Sequence, residues 1–528
     1  MIAIFPNPPY NKNKKKAFEN EIAASNKNVY IAGGGLSALA SALYLIRDCG
    51  LKPPNVHVFI NQTPKIGDSE NGYICRRGKI ISTRNSMNLF ELLSGVNSTD
   101  IPDLTVCEEI LNIYRSNPLS RPITFIDEDK NVIDISKIKL DKEHRKIIMQ
   151  LMQSDSAKLK SIPMFETFDS EFFQTPFWKL FSSAYGYSND DSTYEFINCL
   201  AHFDNMMSGT IPDDFDRYEE IIIPLKSHLE KIGADINNGC EVTDIDFEDD
   251  NVSAVHYTDN DIRKTVYLND GDICILPTDD MSYGESFGSF SEPAPKLLST
   301  PYMLWKKLSE KNHVFKDPSL FFSELDENMS EEFTITLSNS LLPELIDKVT
   351  CGALGNDGII VLDNSNWKFT VCAVPSTHFK NTKEDIRIMW GSATRFDRDG
   401  ERCGKPMTEC SGAEILYELV SCFNLDEAWD DIRESVINVI PCHRRFDHSF
   451  VAPGGSKLEI IPTGIGNMAV SGDFAEYENG TVFSQEYAVS TARSAAYTLM
   501  KTKEKVFKAT PFSCRKIKKF LKNSLMSL

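Results

Sequence analysis

Apolar positions in the first structured stretch of the chain follow two rhythms. Residues 28–32 read as a short strand whose unbroken apolar run, from Val29 to Ala32, is the pattern of burial on both faces. From Leu36 to Cys49 the apolar residues recur at helical spacing, and Gly33-Gly34-Gly35 separates the two. A second short apolar run, Val56–Ile60, predicts another strand. Further along, residues 219–231 read as an amphipathic helix stopped by Gly233. Runs at 241–247 and 252–257 flank the acidic turn Asp249-Asp250-Asn251, and strands are predicted at 266–268 and 271–276. A late block repeats the opening logic: a strand at 467–471, the turn Gly472-Asp473, then a helix over 481–500. Residues 192–203 read as a helix and 436–440 as a buried strand.

Strand, glycine turn, helix and strand within about 30 residues is the setting in which a G-x-G-x-x-G/A spacing has meaning, here Gly33, Gly35 and Ala38. Without Cβ atoms the backbone can approach a pyrophosphate, whose charge then sits among unpaired N–H groups at the helix N-terminus. The alternative is a tight turn packed on a sheet with no ligand. The order of the three blocks favours the first reading. It predicts an α/β fold: a discontinuous FAD-binding Rossmann-like domain of the two-dinucleotide-binding-domain flavoprotein type, with an inserted α+β substrate domain. The expected divisions are a polar arm over 1–27, FAD-binding parts at 28–100, 215–300 and 436–500, substrate or lid parts at 101–214 and 301–435, and a tail at 501–528.

Composition narrows the function. With 41% hydrophobic and 25% charged residues the chain is an ordinary globular protein. It has no apolar run long enough for a membrane span and no apolar core of a secretory signal near its start. The 13 cysteines form no C-x-x-C pair, so neither a disulfide framework nor a zinc site is expected, and a cytoplasmic location fits. A net charge of −20 argues against nucleic-acid binding. From Lys501 onward, however, the net charge is +8, which leaves −28 on the rest. Within that tail Ile517, Phe520, Leu521 and Leu525 make an apolar helical stripe among Arg515, Lys516, Lys518, Lys519 and Lys522. Residues 511–528 could therefore lie on an anionic membrane surface as a peripheral anchor, or dock on the acidic body of the protein.

Several strings resemble the oleate hydratases, the myosin-cross-reactive-antigen family of fatty acid hydratases. They are GGGLSALASALYLIRD (33–48), NGYICRRG (71–78), EFFQTPFW (171–178), IIIPLKSHLEKIGADI (221–236), LWKKL (304–308), KPMTECSGAEI (405–415) and NMAVSGDFAEYENGTVFSQEYAVSTAR (467–493). The resemblance implies an FAD-binding protein acting on unsaturated fatty acids. The reaction is addition of water across a cis double bond without net redox change, and dimerisation is suggested. It also implies cofactor contacts at Gly33, Gly35, Leu36, Ser37, Arg76, Gly78, Gly472, Asp473 and Phe483. In the family a glutamate after R-G-G-R activates water, and a tyrosine protonates the alkene. This chain has Ile80 and Cys199 at those positions. The family's ribose-holding glutamate is replaced by Asn61, which can still hydrogen-bond a hydroxyl. Its T-N-G turn reads Thr278-Asp279-Asp280, which puts carboxylates near where a cofactor would lie.

Two other clusters carry chemistry. Cys199 and His202 fall three apart on the 192–203 helix, either as an acid-base or nucleophile pair or as an interior thiol beside a satisfied imidazole, with Asp204 close in sequence. After the 436–440 strand comes Cys442-His443-Arg444-Arg445-Phe446-Asp447-His448. There Arg444 and Arg445 either grip a substrate carboxylate or phosphate or belong to a surface loop with an Arg–Asp pair. Cys442, His443 and His448 lack a fourth metal ligand, so no metal is expected. Three functions stay open: a hydratase of diminished activity, a catalytically silent flavin- or lipid-binding scaffold, and an FAD-dependent oxidoreductase.

Overall fold

The computed structural model describes residues 27–61, 64–82, 85–116, 121–135, 138, 140–202, 210–279, 285–296, 300–318, 329–355, 357–445, 453–478, 480–504 and 506–508. The polar arm, Asp204, Asp280, His448 and the basic amphipathic tail all lie outside these residues, as does the side chain of Arg445.

Five parallel strands form the nucleotide-type sheet, in the order Met468–Ser471, Ile273–Pro277, Val29–Ile31, Val56–Ile60, Asp235–Asn238. Val29–Ile31 is central and fully buried, as its unbroken apolar run requires. The Gly35–Arg47 helix packs on this sheet and against the Gln485–Leu499 helix. Small residues on both (Ala38 and Ala42, Ala488 and Ala492) are fully buried or nearly so and allow close approach. The late helix starts four residues after its expected place, at a Ser484 cap whose side chain accepts from Glu486 N–H. The helix expected over 219–231 opens as a π-helical turn, Tyr218–Ile222. Pro224 has no N–H to give the Glu220 carbonyl and its ring crowds that carbonyl, so the first turn widens before Ile223–Ile232 continues to Gly233. Cys240–Glu248, Asn251–Asp259 and Ile262–Tyr267 make an antiparallel meander, with a longer third strand than expected.

The second sheet has eight strands: Glu285–Phe287, Val436–Arg445, Met329–Leu337, Arg387–Ala393, Phe369–Ala373, Ile359–Leu362, Ile123–Ile126 and Val132–Asp134. The strand expected at 436–440 therefore runs on to Arg445 and belongs here, not to the nucleotide-type sheet. So does Glu285–Phe287. Alternation serves two cores. Ile359 and Val361 face an aromatic layer from the helical segment 142–202, whereas Ile360 and Leu362 face the helices Leu341–Thr350, Gly412–Cys422 and Trp429–Ser435.

The KPMTECSG string serves this second core. Met407 and Cys410 are fully buried, and Gly412 lies so near the Val439 carbonyl that no Cβ fits. Ser411 and Glu414 cap each other's backbone N–H in a capping box. Ser411→Ala is expected to cost about 1 kcal/mol, read as a lower urea midpoint at unchanged slope.

Candidate functional site

The carboxyl ends of all five parallel strands point to one edge, and the connections diverge on either side of Val29–Ile31. Such a switch point is where open α/β sheets hold ligands. A cleft lies there, lined by Gly35, Leu36, Ile60, Asn238, Arg76 and Asp279 among others. The first-turn N–H groups of the Gly35–Arg47 helix face this edge, with no local side-chain cap. Gly35 (φ 86°) and Gly472 (φ 91°) adopt conformations that other residues rarely take.

Gly78 and Lys79 also line the cleft. Gly78 N–H donates to the Ile211 carbonyl at 3.0 Å, which holds the 76–80 segment against the loop carrying Asp213, Asp216 and Arg217. Lys79 Nζ pairs with Asp473 Oδ2 at 2.6 Å. Ser37 is held by Asp279: its N–H donates to Asp279 Oδ2 at 3.0 Å and its hydroxyl donates to Oδ1. Asn61 follows the strand end at Ile60, half-buried. The loss of water around Asp213 raises its carboxyl to about 7, and its Oδ2 has no hydrogen-bond partner among the described residues. Burial lowers the pKa of the neighbouring His378, whose Nδ1–H donates to the Asp213 carbonyl at 2.7 Å.

Ile80 and Cys199 share one apolar cluster, at 2% and 0% exposure. Ile80 bridges to Ser484, and its N–H donates to the Phe483 carbonyl at 2.6 Å. The Phe483 ring meets Tyr185 edge-on at 5.0 Å and Tyr187 at 6.2 Å. Burial holds the Cys199 thiol well above its usual range, so it is neutral. Phe168, Phe172, Trp178, Phe181 and Phe196 belong to the same cluster, with ring centres 4.0 to 6.2 Å apart. His202 turns its Nδ1–H back to the Asn198 carbonyl of its own helix at 2.8 Å.

Arg444 is not on a surface loop. It lies buried on its strand, with Nη2 2.9 Å from Glu285 and Nη1 3.8 Å from Glu332. Glu285 also takes Arg76 at 2.9 Å, and Glu332 accepts from Trp390 Nε1 at 3.0 Å. His443 pairs with Glu331 at 2.7 Å. The cysteines among the described residues are all free. Asp100, Glu109 and Glu220 come close enough to share a cation, but Lys380 already pairs with Asp100 and Glu220.

The sequence reading missed Lys79, Asp213, His378, Glu285 and Glu332. Lys79 stands in the counterpart of the R-G-G-R string but was given no role there; the other four stand in no string that resembles the family, and only the pairing of distant segments brings them together.

Fold and cleft define a class: a discontinuous α/β protein built on an FAD-type Rossmann-like domain, with an inserted α+β region. A family model described as the MCRA family matches residues 26–497, so the chain belongs to that family. An oleate hydratase of Streptococcus pyogenes serotype M49 (strain NZ131) is 26% identical over 506 residues, covering 90% of this chain and 85% of that one. A linoleate hydratase of Lactiplantibacillus plantarum is 22% identical over 530 residues, covering 88% and 92%. Among solved structures, an oxidoreductase from Methanosarcina mazei is 14% identical with a TM-score of 0.47, covering 90% of this chain and 100% of its own. Wild-type putrescine oxidase bound to putrescine is 11% identical with a TM-score of 0.47, covering 90% and 99%.

Proposed function

We propose that the protein is an oleate-hydratase-like member of its family that takes FAD in the cleft and an unsaturated fatty acid beside it, and that adds water to that substrate poorly. The replacement of both proton-handling positions by Ile80 and Cys199, buried in one apolar cluster, carries this reading. A hydrocarbon side chain has no proton to move, and a neutral thiol buried in an aromatic-rich cluster is a weak acid for an alkene.

The residues present suit the cofactor in most respects. Backbone N–H groups over Gly33 to Leu36 would hold a pyrophosphate, Asn61 a ribose hydroxyl, and the turn Gly472-Asp473 the ribityl side. Arg76 and Gly78 flank the cleft, and Arg76 keeps an unpartnered Nη1 for an acceptor among the described residues. Bound there, FAD would supply position rather than electrons, because water addition is redox-neutral. Arg444, already paired inside the protein, is better suited to fixing Glu285 and Glu332 than to gripping substrate. Equilibrium titration with FAD tests the reading. Binding is expected, and no binding at millimolar FAD by protein whose fold is verified by circular dichroism would overturn it.

A silent scaffold is the second reading and rests on the same two positions. Product analysis with oleate and linoleate separates the two, since a scaffold yields no hydroxy acid at any enzyme concentration. The basic tail is proposed to reach anionic membranes, with co-sedimentation on anionic vesicles expected to vanish on deletion of 511–528. Dimerisation is checked by light scattering on the same samples.

A further inference from the structure

The Gly35–Arg47 helix begins at the cleft without a side chain of its own to cap it. The anion it receives comes from Asp279, 242 positions away, which accepts the N–H of Ser37 at 3.0 Å and its hydroxyl. That N–H belongs to the first turn, one of the donors a helix leaves for an external anion. Asp279 is also pinned from behind. A Cβ at Gly472 would stand 2.8 Å from Asp279 N and 2.9 Å from its Oδ1, so the carboxylate fills the gap between the two glycine turns.

The charges around it oppose one another, since Asp473 disfavours its ionised form and Lys79 favours it, and neither pairs with it directly. Asp473 follows on the Gly472 turn, and Lys79 directs its ammonium to Asp473 rather than to Asp279. The buried Lys457 donates to the Asp473 carbonyl at 2.7 Å. Ser471, from the neighbouring strand, adds only a hydroxyl that donates to Ser37 Oγ at 3.2 Å. In the same cleft Arg76 is 7% exposed, with Nη1 lacking any hydrogen-bond partner among the described residues. The cleft thus offers one guanidinium N–H of Arg76 to an incoming anion, while one donor of the helix end, the Ser37 N–H, is taken by an internal carboxylate.

We infer that Asp279 competes with the pyrophosphate of a dinucleotide for the helix N-terminus and sets how tightly the protein holds FAD. The inference rests on the flavin reading above. A pyrophosphate brought to this end must displace the Asp279 carboxylate or lie against it as a like charge. Burial and the nearby Asp473 raise the Asp279 carboxyl to about 7, so acidification neutralises the competitor.

The test is titration of the full chain, its Asp279→Asn variant and its Asp279→Ala variant with FAD and with riboflavin, at pH 6 and pH 8. Riboflavin has no pyrophosphate. Asp279→Asn keeps an acceptor for Ser37 without the charge, and Asp279→Ala empties the helix end. At pH 8 both variants are expected to bind FAD at least about tenfold more tightly than the unmodified protein, with riboflavin affinity unchanged. The unmodified protein should gain FAD affinity from pH 8 to pH 6, and Asp279→Asn should gain less. If the unmodified protein binds FAD and neither variant binds it more tightly, the inference fails and the flavin reading stands. If riboflavin gains as much as FAD, the effect is not on the pyrophosphate and the inference also fails. If no form binds FAD while all are folded, both fall.

Discussion

Ile80→Glu combined with Cys199→Tyr is expected to raise formation of 10-hydroxystearate from oleate at least about 10²-fold over the unmodified protein, with FAD present throughout. Positioned acid and base groups contribute about 10² to 10⁴-fold each, but groups that act as a unit do not add. Either substitution alone should therefore gain little. The apolar surroundings of position 80 suit the purpose, since desolvation raises a buried carboxyl towards neutrality, where a group that takes a proton from water is most useful. Tyrosine at 199 must enter a cluster already filled by Tyr185, Tyr187 and Phe483, at an overpacking cost of about 1 to 3 kcal/mol. Thermal melts should accompany the product assay. Rapid oleate turnover by the unmodified protein would show that these two positions do not limit the reaction.

Glu285→Ala is expected to destabilise the protein by about 3 to 5 kcal/mol, the usual cost of leaving a buried charge without its partner. Glu285 is the shared acceptor of Arg76 and Arg444, each at 2.9 Å and each buried. Removing it takes the shared carboxylate from two guanidiniums, with Glu332 standing 3.8 Å from Arg444. Glu285→Gln retains an acceptor and should lose less. Urea unfolding with linear extrapolation measures both. A loss below 1 kcal/mol for Glu285→Ala would mean that water or rearranged acids reach the arginines, and that the cluster is not closed.

Local signals carried four strands of the nucleotide-type sheet and missed the polar edge strand Asp235–Asn238, which has no apolar run. The apolar run at Val29–Ile31, the glycine turn and the stop at Gly233 each obey rules that act within a few residues. The eight-stranded sheet was hidden because its pairings are remote. Ile123–Ile126 lies beside Ile359–Leu362, and Glu285–Phe287 beside Val436–Arg445. Val436–Arg445 looked like part of the first sheet because the run read as a strand ends at Ile440, while the strand continues through polar residues of which His443 meets Glu331 and Arg444 meets Glu285. The same blindness affected the site. Thr278-Asp279 could be read as acidic, but not as aimed at Ser37, and Arg444 could be read as an anion ligand, but not as already engaged. Ile80 and Cys199 were legible as positions, and only packing shows that Phe483, Tyr185 and Tyr187 tie them into one apolar wall.

The order of strands in the parallel sheet also sets a timetable for synthesis. Val29–Ile31 leaves the ribosome early, but its neighbour Ile273–Pro277 follows about 240 residues later, and the helix that covers Gly35–Arg47 ends only at Leu499. At ordinary elongation rates of roughly 5 to 20 residues per second, the first helix waits on the order of tens of seconds for that cover. During this interval the nascent chain carries an apolar helix face and an unpaired strand edge, each a template for the wrong partner. A chain so arranged depends on chaperones in the cell more than its finished stability would suggest, and its yield should respond to slower translation or lower temperature before any measure of the native state does.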